Sequence, residues 1–168
     1  MKKYQPLFIT CILATLALAS LFKSSIRNAF APGLTFENNH LQIVDSNATT
    51  TISAYKGNVL IVACFQTWCI DCARETPSLN KLASALPFEK FKVIYVSDEV
   101  IDKIKGFKNR FEANNILFTQ SAKSLASLGI SVYPTTYLIN KKGVVVTTKL
   151  EGYNWENEEA LIKKLIAE

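Results

Sequence analysis

The 168-residue sequence has a single histidine, His40, and only one closely spaced pair of cysteines, Cys69 and Cys72. These shortages argue against a structural zinc site, which takes four nitrogen or sulfur ligands. Beyond the pair, only Cys64, inside an apolar run, and His40 remain as candidates, because Cys11 sits in an N-terminal hydrophobic stretch. Internal repeats are absent, and residues 31–168 contain no low-complexity linker. One domain is expected there, of a size that buries roughly two thirds of its unfolded surface and folds without disulfides. Acidic residues are missing before residue 31, where Lys2, Lys3, Lys23 and Arg27 lie. Removing those four from the 19 lysines and arginines leaves 15 bases against 14 acids, so the net charge of +5 belongs to the terminus. The near-neutral domain gives no support to a phosphate-tracking surface for nucleic acid, and the terminal bases suit a membrane surface.

What the N-terminus does have is an uncharged run from Leu7 to Phe22 behind Lys2 and Lys3. That is the pattern of a secretory signal or signal anchor, and either one predicts export. Its sixteen residues span about 24 Å as a helix, short of a ~30 Å hydrocarbon core. Ala17-Leu18-Ala19 offers a small-x-small cleavage site, but Leu21 and Phe22 continue the apolar run past it, which favours an uncleaved anchor. Residues 1–30 are therefore read as targeting segment and spacer, and 31–168 as the folded domain.

The domain alternates strand and helix signals. Leu41–Val44 and Thr49–Ser53 read as short strands around the Asp45-Ser46-Asn47 turn. Val59–Phe65 is a continuous apolar, β-branched run, the pattern of a central strand covered by helices on both faces. A helix is predicted from Cys69 to about Ala85, kinked at Pro77, with Leu79, Leu82, Ala83 and Leu86 inward. Phe91–Ser97 is a second strand, followed by a helix from about Val100 to Ala113 with Ile101, Ile104, Phe107 and Phe111 on one face. Next come an extended piece at Ile116–Thr119 and a short helix over Ser121–Leu128, stopped by Gly129. Thr135–Ile139 and Val144–Leu150 form a hairpin around Asn140–Gly143, and a helix from Trp155 to Ala167 closes the chain with Leu161, Leu165 and Ile166 inward. The sum is an α/β fold with a mixed central sheet flanked by helices.

Cys69 and Cys72 stand where the central strand runs into its helix. A disulfide closing so short a loop adds little chain-entropy stability, so its purpose is chemical. Unsatisfied N–H groups and the positive end of the dipole at a helix N-terminus stabilise a thiolate, which makes Cys69 the nucleophile. Cys72, one turn in, is placed to attack the mixed disulfide formed on Cys69 and release the substrate. Asp71 sets a carboxylate beside the thiols; it opposes their ionisation and tunes the pair toward electron donation. A peroxidatic cysteine is disfavoured, since Phe65-Gln66-Thr67-Trp68 precedes Cys69 without the expected proline and threonine.

Thr67-Trp68-Cys69-Ile70-Asp71-Cys72, Glu75 and Pro77 just beyond, and Val132-Tyr133-Pro134-Thr135-Thr136-Tyr137-Leu138-Ile139 together resemble the TlpA-like (ResA-like) extracytoplasmic branch of the thioredoxin superfamily. The similarity runs from Ala31-Pro32 to the C-terminal helix. It implies a thioredoxin-like fold with Pro134 as a cis-proline facing the cysteines. It also implies that the backbone of Tyr133 pairs with the substrate chain and that Trp68 walls the nucleophile. The activity implied is thiol–disulfide exchange that reduces protein disulfides outside the cytoplasm, as in cytochrome c maturation or for a dedicated partner. A membrane thiol–disulfide protein would supply the electrons, and the Cys69–Cys72 disulfide itself would be the redox group, without a further cofactor. The sequence departs from the family at Ala63, where an acid or amide is usual six residues before the first cysteine, and at Ile70-Asp71, which replaces the common proline. The proton acceptor for Cys72 is thus missing from its usual place. Asp98 and Glu99, at the end of the second strand, are the candidate replacements, though both read as solvated loop carboxylates. Glu75 reads either as a surface carboxylate or as a substrate contact. The competing reading is a redox-inactive module that holds a client or metal on the same fold.

Overall fold

The computed structural model of the chain describes residue 34 and residues 36–46 and 48–168. Residues 1–30, expected from the sequence to be a targeting segment and spacer, Ala31-Pro32, and Asn47 of the first turn lie outside the described residues. No helix among the described residues is long and apolar enough to cross a membrane. In chain order the elements are β1 (Leu41–Ile43), β2 (Thr49–Thr50), β3 (Val59–Cys64), α1 (Ile70–Ala85), β4 (Phe91–Ser97), α2 (Ile101–Arg110), β5 (Ile116–Ser121), β6 (Thr135–Ile139), β7 (Val145–Lys149) and α3 (Glu159–Ala167).

The seven strands form one mixed sheet in the order β2-β1-β5-β4-β3-β6-β7. β3, β4 and β5 are parallel neighbours, as expected of strands linked by helical crossovers, while β6, β7, β1 and β2 add antiparallel edges. Every residue of β3 is buried. Alternate residues serve opposite faces. Val59, Ile61 and Ala63 pack with Leu79 and Leu82 of α1, Ile104 and Phe107 of α2, and Ile162 and Leu165 of α3. Leu60, Val62 and Cys64 pack with Phe36, Ile52, Leu125 and Ile130. All three α-helices thus serve one face. The other is covered by the N-terminal segment, a 3-10 turn at Ile52–Tyr55 and the loop before β6, not by the helices expected on both sides. A continuous apolar run reports burial on two faces, not what does the covering.

Three other boundaries differ from expectation. β5 runs on to Ser121, and the predicted Ser121–Leu128 helix shrinks to a 3-10 turn, Ala126–Leu128, ended by Gly129 at φ +82°. The second expected strand shortens to Thr49–Thr50, because the Thr51 side chain caps the following 3-10 turn. The C-terminal helix opens with a 3-10 turn, Trp155–Glu158, capped by the Asn154 side chain, and α3 begins only at Glu159. Trp155 is fully buried, and its side chain sets the phase: Ile162 and Leu165 are buried, whereas Leu161 and Ile166 are only partly so.

Candidate active site

β3 delivers the chain to the start of α1, and Cys69 is the N-cap residue of that helix. The backbone N–H of Cys72 donates to Cys69 Sγ at 3.1 Å, so an otherwise unpartnered N–H of the first turn points at the first sulfur. The two cysteines are joined as a disulfide, with a Cα–Cα separation of 5.2 Å. Cys72 is buried and Cys69 keeps a small exposed area. Tyr133–Pro134 is a cis peptide bond. The Tyr133 ring meets Trp68 edge-on, with centroids 6.0 Å apart at 89°. Trp68 and Ile70 are each 69% exposed, and Val132 and Leu150 are exposed as well. Asp71 points to solvent and pairs with Arg74 at 3.0 Å, so its charge reaches the sulfurs diluted by a guanidinium and by water.

The loop between β3 and α1 is clamped from the end of β4. Glu99 accepts from the Thr67 backbone N–H at 2.5 Å and from the Thr67 hydroxyl at 3.0 Å. Asp98 accepts from Gln66 Nε2 at 2.6 Å and from the Leu125 backbone N–H at 2.8 Å, tying the cysteine loop to the segment that leads into Pro134. Neither acid is the solvated loop carboxylate expected from sequence. Their oxygens accept from both backbone and side-chain donors of neighbouring loops, an arrangement only the folded loops create.

Glu75 departs furthest from expectation. It is 1% exposed, neither a surface carboxylate nor a substrate contact. One of its oxygens accepts from the buried Trp155 indole Nε1, the other from Thr136 Oγ1 at 3.1 Å. Thr136 is the cross-strand partner of Ala63, so the carboxylate reaches from α1 to the residue of β6 opposite that position. Cys72, Glu75, Thr76, Leu79 and Leu82 form one buried helical stripe, with Glu75 one turn beyond Cys72. Thr76 lies next to it, bonding the Cys72 carbonyl at 2.8 Å and the Tyr95 hydroxyl at 3.1 Å. Burial pushes the Glu75 carboxyl up to about 7, against the opposing pull of the Trp155 and Thr136 hydrogen bonds. The Tyr95 hydroxyl is driven upward, by burial first and then by Glu75, and stays neutral. The stripe itself carried the signal: Glu75 stands at i+3 from Cys72 and i−4 from Leu79, inside the apolar face. Its partner, 80 residues away in Trp155, left none.

Cys64 is buried on the face of the sheet away from the helices, where burial and then the Asp98 charge push its thiol upward, so it remains an inert thiol. His40 is exposed, and no group of three or more His, Cys, Asp or Glu among the described residues could hold a metal ion.

Gly152 braces the other side of the helix start. A Cβ there would lie 2.8 Å from the Asp71 carbonyl oxygen and 3.1 Å from Asp71 Cβ. Gly152→Ala must therefore displace either the loop after β7 or the Cys69–Cys72 turn. An overpacking cost of ~1–3 kcal/mol is expected in a urea melt, together with slower reaction of the cysteine pair; unchanged stability and rate would show that the loop gives way freely.

A family model described as Redoxin matches residues 30–166. The thiol-disulfide oxidoreductase ResA of Bacillus thuringiensis (strain Al Hakam) is 27% identical over 112 residues, 66% of this chain and 65% of that protein. The thiol:disulfide interchange protein DsbE of Pseudomonas fluorescens biotype C is 34% identical over 110 residues, covering 63% of this chain and 59% of its own. These two matches span 65% and 59% of the relatives' length, less than two thirds of each. Among solved structures, the thioredoxin domain of a thiol-disulfide oxidoreductase from Bacteroides vulgatus superposes with a TM-score of 0.63 at 20% identity, covering 76% of this chain and 91% of that one. The fold is thioredoxin-like, and with a family model matched across nearly the whole described region, the chain belongs to the Redoxin family.

Proposed function

We propose that the protein is an extracytoplasmic thiol–disulfide oxidoreductase that reduces disulfides in proteins. The observation that carries this reading is the Cys69–Cys72 disulfide at the N-terminus of α1, with the Cys72 N–H on Cys69 Sγ and the cis Tyr133–Pro134 peptide in the neighbouring loop. An N–H aimed at Sγ stabilises the Cys69 thiolate of the reduced protein, which is both nucleophile and good leaving group. The names of its ResA and DsbE relatives support the same reaction.

In the reduced protein the Cys69 thiolate attacks one sulfur of a substrate disulfide. The Cys69–substrate bond forms, the substrate S–S bond breaks, and one substrate thiolate leaves. Cys72 then gives up its proton and attacks Cys69 Sγ. The Cys69–Cys72 disulfide forms and the second substrate thiolate leaves, so two electrons have passed to the substrate. Glu75, buried one turn from Cys72 and half ionised near neutral pH, takes the Cys72 proton. It does from the helix what an acid at position 63 would do from the strand. A dithiol protein in the membrane returns the enzyme to its reduced form. The exposed Trp68, Ile70, Val132 and Leu150 give an apolar rim for an extended segment of the substrate, with the Tyr133 backbone available to pair with it. Asp71, outside the buried network, biases the pair toward donation. The apolar run Leu7–Phe22 holds the domain on the outer face of the membrane.

The test is reduction of insulin by dithiothreitol, followed as B-chain turbidity. Micromolar protein is expected to shorten the lag well below that of dithiothreitol alone. An unchanged lag would favour a redox-inactive binding module.

A further inference from the structure

The proton role of Glu75 leaves open what holds that carboxylate in place, and the polar partners buried with it come from outside the cysteine loop. Trp155 is fully buried, and its indole N–H donates to Glu75. The indole is itself held from two sides. The Trp155 backbone N–H donates to Ser78 Oγ at 3.2 Å, and the same hydroxyl donates back to the Glu75 carbonyl at 2.9 Å, so the 3-10 turn is bolted to the very turn of α1 that carries Glu75. Tyr153 meets the Trp155 ring edge-on at 5.5 Å, and its hydroxyl donates to Glu158, which also pairs with Lys149 at 3.3 Å.

We infer that Trp155 is a positioning residue for the exchange reaction: its indole N–H fixes the Glu75 carboxylate in the buried stripe one helical turn from Cys72 and thereby sets the pH range in which Cys72 is deprotonated. The inference rests on the reading of Glu75 as the proton acceptor. A donor to a buried carboxylate favours the charged form, so Trp155 and Thr136 both work against the upward push of burial on Glu75. The other titratable group facing Glu75 is Tyr95 on β4, while Cys72 shares the buried stripe of α1 one turn away; Tyr95 stays neutral, and the charges of Lys149 and Glu158 compensate each other beyond the Tyr153 ring. The indole thus supplies the stronger of the two hydrogen bonds that oppose burial at this carboxylate.

The experiment compares the pH profile of insulin reduction for the full chain, Trp155→Phe, Glu75→Gln and the double variant, alongside the Glu75 carboxyl titration read by carbon-13 NMR. Losing a hydrogen bond to a charged group is worth ~1 pH unit or somewhat more. The Trp155→Phe midpoint is therefore expected to move up by ~1 unit in both readouts. Its rate should be about five-fold low at pH 7 and converge on wild type above pH 9, and the difference should vanish in the Glu75→Gln background. A purely structural Trp155 would lower the rate equally at every pH and leave the carboxyl titration unmoved, which overturns the inference. If Glu75→Gln keeps the wild-type profile, the reading of Glu75 itself fails, a separate and recognisable outcome. Should Trp155→Phe not fold, replacing Trp155 with benzothienylalanine, which exchanges the N–H for sulfur and keeps the shape, must give the same shift.

Discussion

Cys69→Ser is expected to abolish the reduction of insulin, lowering the rate by roughly 10³-fold or more, because a serine hydroxyl neither ionises near neutral pH nor attacks a disulfide. The loss should come without unfolding. A disulfide that closes a loop with a sequence separation of 3 restrains the unfolded chain little, and the core around it is built from Phe65, Leu79, Tyr95, Phe107 and Phe118. The same change in the buried Cys64 should leave the rate near wild type, since that thiol faces the opposite side of the sheet. Comparing the two serine variants by activity and by circular dichroism separates chemistry from folding.

Glu75→Gln carries the second large effect, and its sign follows from the titration. The carboxyl titrates at about 7 in the folded protein against an ordinary 4.5, so the native state binds the proton more tightly than the unfolded chain. Whatever stability rests on this group is fully present below pH 4.5 and is lost as the pH rises to about 7, a fall of about 3 kcal/mol. Glutamine cannot ionise and escapes that fall. Between pH 5 and pH 8, urea melts should show wild type losing stability that the variant keeps. Activity moves the opposite way: without an acceptor for the Cys72 proton, the rate at pH 7 should drop by ~10²-fold and its rise through pH 7 should disappear. A variant with wild-type pH dependence in both measurements would remove Glu75 from the mechanism.

Much of this was legible in the chain. The runs Val59–Cys64, Phe91–Ser97 and Thr135–Ile139 appear as strands close to where they were expected, because short runs rich in β-branched and aromatic residues leave few alternatives. The cysteine spacing behind such a strand points to a helix N-terminus, where Cys69 is in fact the N-cap. Residues whose behaviour depends on a distant partner were not legible. Glu75 looked like an ordinary helical carboxylate because its indole donor lies 80 residues on, and Trp155 looked only like the first residue of a helix. Asp98 and Glu99 looked solvated because nothing local shows that Thr67, Gln66 and Leu125 will come to them. The helical stripe through Cys72 and Leu79 was the one local clue, and it concerned burial rather than chemistry.

The most direct test of two-cysteine exchange is to mix reduced Cys72→Ser protein with insulin and map the products by mass spectrometry without reductant. A covalent complex joining Cys69 to an insulin cysteine should accumulate and persist, while the wild type, free to resolve it through Cys72, accumulates none. Absence of the complex, or its attachment through Cys64, would contradict the assignment of nucleophile and resolving thiol.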